Sequence, residues 1–186
     1  MAFQSDVGGV SFQAEMPLGW EAVALPGGNV LHEWMHANVA LLHALSTMET
    51  PAPEYENESG SDVDRRLDRI EAKLDLALNL LSRVLARSAP QPAACPVTLS
   101  ASRIEWISSG NAPTAGQNIV ISLFVNPRLP QPLLLPARVL TASAAAGGTR
   151  VGAEFSHLSE EAQEWLERTV FRYHRRFIQS RRREEN

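Results

Sequence analysis

The first 64 residues of this 186-residue chain contain neither lysine nor arginine, against ten aspartates and glutamates. An anionic ligand approaching this third of the sequence would find no cation. All 17 basic residues lie from Arg65 onward, with the remaining eleven of the 21 acidic ones. Cysteine is scarcer still. Cys95 stands alone, which excludes an internal disulfide and any paired-cysteine metal or redox site. With Pro96 beside it and Pro92 nearby, it reads as an ordinary linker thiol. Apolar runs long enough for a membrane-spanning helix, about 18 residues, are missing. The opening MAFQSDVGG lacks the basic and apolar regions of a secretory leader, so a cytoplasmic location is expected. No Ser/His/Asp arrangement or phosphate-binding glycine loop is visible.

What is present is an apolar share of 44%, enough for a real core. In residues 8–27, Val10, Phe12, Ala14 and Met16 alternate, and a short run from Trp20 to Leu25 follows. Period two with Gly and Pro punctuation reads as one or two strands. Residues 29–49 switch to helical spacing through Leu31, Trp34, Met35, Asn38, Leu41, Leu42, Leu45 and Met48. Asn29 is the expected N-cap and Pro51 the stop. An acidic loop, 51–60, precedes a second helix over about 61–88, opened by Ser61 and Asp64 in a capping-box variant and ended by Pro90. A proline-rich connector follows. From residue 97 the period returns to two: Ile104 and Trp106; Ile119, Ile121, Leu123 and Val125; Leu133, Leu135, Ala137 and Val139; Val151, Ala153 and Phe155. AAGGT between the last two runs is a hairpin signal. Short strands so spaced imply a small antiparallel barrel or sandwich. A last helix starts near Ser159, with Glu160 and Glu161 in its first turn and arginines in its last, as the helix dipole favours.

Residues 32–36, HEWMH, match the pattern in which two helical histidines hold zinc and a glutamate activates water. Zinc also needs a third protein ligand. In the extended motif Leu42 stands where that histidine belongs, and His43 misses by one residue, about 100° around the helix. His32, His36 and His43 then read as one polar side of an amphipathic helix, and no metal or catalytic residue is assigned. A zinc-dependent hydrolase at His32, Glu33 and His36 stays as an alternative.

The second helix carries the stronger pattern. Val63, Leu67, Ile70, Leu74, Ala77, Leu81 and Val84 are spaced alternately by four and three, a heptad repeat. With Leu67, Leu74 and Leu81 at a, the others fall at d. Leucine at a with β-branched residues at d favours more than two strands. Leu78, Leu80 and Leu85 broaden the apolar face, which a wider bundle or the first helix would cover. Self-association through this helix is expected. In the last helix, Arg172, Arg175, Arg176 and Arg181 to Arg183 read as a solvated face. The chain's net charge of −4 and the lack of a DNA-binding motif weigh against a nucleic-acid footprint.

The segments VTLSASRIEW (97–106), APTAGQNIVISLFV (112–125), LLLPARVLTA (133–142) and TRVGAEFSHLSEEAQEWL (149–166) resemble the PilZ domain, with Arg138, Val139, Arg150, Gly152 and Phe155 where that pattern has them. The resemblance implies a six-stranded barrel that commonly binds cyclic di-GMP. In the family's D/N-x-S-x-x-G stretch, Thr98 replaces the acid or amide, Ser100 is retained and Arg103 replaces the glycine. The family's R-x-x-x-R pair before the first strand has no counterpart, since no arginine precedes Arg65. Arg83 and Arg87 have the spacing but lie on the heptad helix. The plan is similar to atypical PilZ proteins of xanthomonads, where inserted helices drive tetramer formation. Some PilZ proteins without the arginine pair act through protein partners, type IV pilus components among them.

The expected fold is α+β: a PilZ-like barrel from residues 8–27 and 95–186 with a C-terminal helix, interrupted at 28–90 by a pair of long helices forming a coiled coil. The expected function is a non-enzymatic signalling adaptor in cyclic di-GMP-linked regulation. It would use no cofactor, bind cyclic di-GMP weakly or not at all through the degenerate Thr98, Ser100 and Arg103, assemble as a parallel tetramer and act on a protein partner, without nucleic acid or membrane insertion. The alternative is a genuine cyclic di-GMP receptor using other residues, with Arg83 and Arg87 delivered by a neighbouring copy.

Overall fold

The computed structural model describes residues 9–23, 27–49, 91–126 and 131–184, together with Leu67, Ile70 and Leu74. Six strands form a closed, wholly antiparallel barrel in the order β1-β2-β3-β6-β5-β4. They are β1 (Ser11–Ala22), β2 (Ala94–Ser100), β3 (Arg103–Ser108), β4 (Asn118–Leu123), β5 (Leu133–Ala145) and β6 (Gly148–Phe155). Helix α1 (Gly28–Glu49) follows β1, and helix α2 (Glu160–Glu184) follows β6. The expected α+β barrel with a C-terminal helix is therefore present.

Closure falls to β1. Its first half, Ser11 to Pro17, pairs with β2, and its second half, Leu18 to Ala22, pairs with β4. Pro17 stands at the changeover. A proline has no N–H to give to a ladder, and here only its carbonyl is used, accepting from Phe124 N at 3.1 Å. The 8–27 segment is thus one long strand with two neighbours.

Most of the period-two residues read from the sequence point inward, but Val10 and Ala14, read on the same face as Phe12 and Met16, are exposed. Leu99, Ile104, Trp106, Ile121, Leu123, Leu133, Leu135, Val139 and Val151 are all buried in one core cluster. Two glycines are set by close approach. A Cβ on Gly148, after the β5–β6 turn, would lie 2.0 Å from the Ser108 carbonyl oxygen, and its φ of 146° is glycine territory. A Cβ on Gly152 would meet Thr141 Oγ1 at 2.7 Å. A register shift between Val139 and Thr141 bends β5, a device small barrels use to turn a corner.

Both helices dock on this barrel. Leu41, Leu42 and Leu45 of α1 and Leu166 and Val170 of α2 join its core cluster. His43 meets Trp165 edge-on, with ring centroids 5.1 Å apart. Tyr173 stacks on Phe12 at 4.9 Å. His174 Nδ1 lies 2.6 Å from the Ser11 carbonyl oxygen; a carbonyl only accepts, so that nitrogen carries the proton. Ser159 caps α2, its hydroxyl accepting from Ala162 N at 3.2 Å. At the start of α1 the expectation needs correction. The Gly27 carbonyl accepts from Val30 and Leu31, so Gly27 is the cap and Asn29 lies inside the first turn.

Asn38 is the least expected contact. It is 2% exposed, and its amide bonds the Leu134 backbone twice, Nδ2 to the carbonyl at 2.8 Å and Oδ1 from the N–H at 2.9 Å. β5 pairs with β6 only from Ala137 onward, so Leu134 has an open edge, and Asn38 acts there as a one-residue strand. Asn38→Leu should leave two backbone groups unsatisfied and cost about 2–4 kcal/mol. Urea unfolding should show a lower midpoint with an unchanged slope.

Candidate functional site

The β2–β3 turn holds the counterpart of the family's signature stretch. Ser100 Oγ accepts from Arg103 N at 3.0 Å and donates to the Arg103 carbonyl at 3.1 Å. The hydroxyl thus closes its own turn and is 2% exposed. Arg103 opens β3 without positive φ, so the backbone does not demand the family's glycine there. Its guanidinium lies 3.4 Å from Glu154 on β6, its cross-strand partner. Both side chains are nearly half exposed, so the pair is worth little stability. It nonetheless lowers the availability of Arg103 as a free cation. Thr98, one strand-step from the core-facing Val97 and Leu99, lies on the barrel's outer wall and is 1% exposed. Its register neighbours are Gln13 and Glu105, and among the described residues its hydroxyl has no hydrogen-bond partner. Beside it Glu105, also buried, sits 3.5 Å from Arg150 Nε. The three residues share one hairpin but do not converge: Ser100 serves the turn, Arg103 reaches to β6, and Thr98 is sealed in the wall.

A groove of about 490 Å³ opens beside this turn. Its barrel side is Val10, Ser100, Ala101 and Ser102; its helix side is Glu164, Glu167, Arg168 and Phe171 of α2. Val10 and Phe171 are large apolar residues about half exposed. The one arginine, Arg168, is held by Glu164 at 2.6 Å and lies 5.1 Å over the Trp165 ring. Two carboxylates therefore face an apolar floor, and the lining's single cation is already paired. With Arg168 matched to Glu164, the lining carries one carboxylate in excess, Glu167, beside exposed apolar side chains. Sequence reading missed the groove. Val10 reads from the sequence as one of an alternating strand face with Phe12 and Met16 and is instead exposed, but Phe171 was findable, since it lies on the helix side opposite Leu166, Thr169 and Tyr173.

The other sequence candidates are placed as follows. His32, Glu33 and His36 are exposed on α1, and among the described residues no three metal-ligating side chains converge. Leu67, Ile70 and Leu74 are helical and 53%, 60% and 57% exposed. Val63, Ala77, Leu81 and Val84, the leucines at 78, 80 and 85, and Arg83 and Arg87 lie outside the described residues. Cys95 is not in a linker but in β2, half-buried and packed against the core. Among the described residues no helix is long and apolar enough to cross a membrane.

The comparisons with known proteins agree with this geometry. Residues 42–183 match the family model described as atypical PilZ domain, cyclic di-GMP receptor. Among solved structures, a Xanthomonas campestris protein, described as a tetrameric PilZ domain self-assembled via an unusual helical bundle, is 30% identical. The likeness covers 91% of this chain and 90% of that one, with a TM-score of 0.76. No protein of curated function matches the sequence. The chain belongs to the atypical PilZ family.

Burial pushes the Cys95 thiol up from 9.0 to about 11, and the charge of Glu15 adds in the same direction. Only the thiolate reacts. At pH 8 the folded chain should therefore alkylate about 100-fold more slowly than the urea-unfolded chain, the rate climbing with pH toward 11. The raised value also disfavours the folded state above the ordinary thiol pKa, so stability should fall, not rise, between pH 9 and 11. Equal alkylation rates in the folded and unfolded chains would contradict the burial of Cys95.

Proposed function

We propose that this protein is a non-enzymatic PilZ-type adaptor, one that binds cyclic di-GMP weakly or not at all and acts by presenting several barrels to a protein partner. The observation that carries this reading is the state of the signature turn. Its serine is spent within the turn, its arginine is drawn to Glu154, and the adjoining groove is rimmed by Glu164 and Glu167. A cyclic dinucleotide carries two phosphodiester charges, which need guanidinium forks or their equivalent. The described lining offers only Arg168, already bound.

Assembly would run through the heptad helix. Leu67, Ile70 and Leu74 span two a positions and the d between them, and in a single chain all three face water. Exposed leucines and isoleucines at that period mark a helix–helix interface. The Xanthomonas relative, tetrameric through a helical bundle, supports the same reading, and four parallel copies suit leucine at a with β-branched d. The full division of labour would be barrel from 8–27 and 95–186, assembly from 28–90, acting in the cytoplasm with a signalling or pilus-linked partner. One observation favours the second reading, a true receptor: the family model is described by cyclic di-GMP binding. Its cations would then come from a neighbouring copy.

Two measurements test these statements. Titration calorimetry with cyclic di-GMP should show binding no tighter than about 100 μM; submicromolar affinity would establish the receptor instead. Light scattering should give a tetramer mass for the native chain and a smaller mass for Leu74→Asp. A monomeric native chain at micromolar concentration would remove the assembly claim.

A further inference from the structure

Helix α2 turns one side to the barrel through Leu166, Thr169, Val170 and Tyr173. Directly opposite run Glu160, Glu164, Glu167, Phe171, Arg175 and Ile178, all exposed. At 100° per residue, each lies within about 40° of Phe171. Arg182 takes the next place in the sequence. The spacings are four, three, four, four, three and four, which read the same from either end with Phe171 at the centre. The charges do not. Every ionisable member before Phe171 is acidic, and every one after it is basic.

The helix dipole explains only part of this order, because its influence fades within the first and last turns. Glu167 and Arg175 lie deeper than that. Neither has an ion-pair partner within the chain among the described residues, and eight residues, about 12 Å, part them. The dipole also gives no reason for a phenylalanine, 52% exposed, at the midpoint.

We propose that two copies of the chain pair antiparallel through α2, about a two-fold axis at Phe171. In that arrangement a residue n places before Phe171 faces the residue n places after it on the second copy. Phe171 meets the second copy's Phe171, Glu167 meets Arg175, and Glu164 meets Ile178 beside Arg175. Each charge contact occurs twice, as a two-fold interface requires. A parallel pairing would set acid on acid and base on base. One helical stripe is smaller than the roughly 1,000 Å² of a stable interface. The contact is therefore weak alone and strengthened where copies are already linked. It closes over the groove by the β2–β3 turn, whose helix side it shares. The contact does not depend on the heptad helix, so the Leu74→Asp result and the test below fail or succeed separately.

The test is disulfide trapping in the full chain, with the unaltered chain as blank. Phe171→Cys should give a linked dimer on mild oxidation, whereas Gln163→Cys, exposed on the helix flank, should not. A chain carrying Glu167→Cys should link to one carrying Arg175→Cys, and neither to itself. Adding Glu167→Arg to Phe171→Cys should slow trapping about tenfold, since two attractive pairs become repulsive, and adding Arg175→Glu as well should restore it. Circular dichroism of each variant establishes that the fold persists; all the altered side chains are exposed. Trapping at Phe171→Cys no faster than at Gln163→Cys overturns the proposal. So does self-linking of Glu167→Cys, which marks a parallel contact, or no recovery in the double reversal, which marks a different occupant of this face.

Discussion

Closure of the barrel by β1 is the constraint on which the other features rest. A six-stranded sheet left open would present two unpaired edges, and here one strand removes both by bonding β2 with its first half and β4 with its second. That strand lies about 70 residues before its nearest neighbour in the barrel. The chain between must leave and return without disturbing the ladder. Pro17 sits where the partner changes, which is the position at which a missing N–H does least harm. The start of β1 also builds the groove, through Val10, and seats α2, through Ser11 and Phe12. Loss of β1 would open the sheet and dismantle the groove together.

The chemistry of the signature turn follows from competition for the same atoms. A hydroxyl can donate once, and Ser100 donates to the Arg103 carbonyl. A ligand wanting that proton would have to break a bond of the turn held by a buried serine. Arg103 has an anion of its own in register on β6, and Arg168 has Glu164. Each cation near the groove is thus matched before any ligand arrives, and the unmatched charge, Glu167, is negative. Electrostatics of this kind set which partners are turned away as much as which are held.

Most of the barrel was legible in the sequence, because the rule behind it is local. Alternation of Ile119, Ile121 and Leu123, or of Leu133, Leu135 and Ala137, needs only a pleated strand with one wet and one dry face. The connector around Cys95 was misread because prolines at 90, 92 and 96 outweighed a period of two too short to count; β2 begins there on the edge facing β1. Asn38 was invisible for a different reason. Its side chain substitutes for a strand at Leu134, ninety-six residues away, and no spacing rule encodes such a contact. The site divided likewise. Thr98, Ser100 and Arg103 were found by pattern, but their partners, Glu105, the turn itself and Glu154, come from strand register. Phe171 was hidden by the arginines around it, which drew attention to charge rather than to the apolar residue at the midpoint.

The helices connect these parts mechanically. α1 is fixed to β5 by the two Asn38 bonds, to the core by Leu41, Leu42 and Leu45, and to α2 by the His43–Trp165 contact. Its packed face leaves His32, Glu33 and His36 outward, which is why a zinc-like spelling arises with no third ligand: the helix needs a polar side, and histidine and glutamate at four-residue spacing supply one. A helix so bound has little freedom to pivot against the barrel. An assembly nucleated in the segment after α1 would then hold its barrels at set orientations only as far as the connection to α1 is itself stiff.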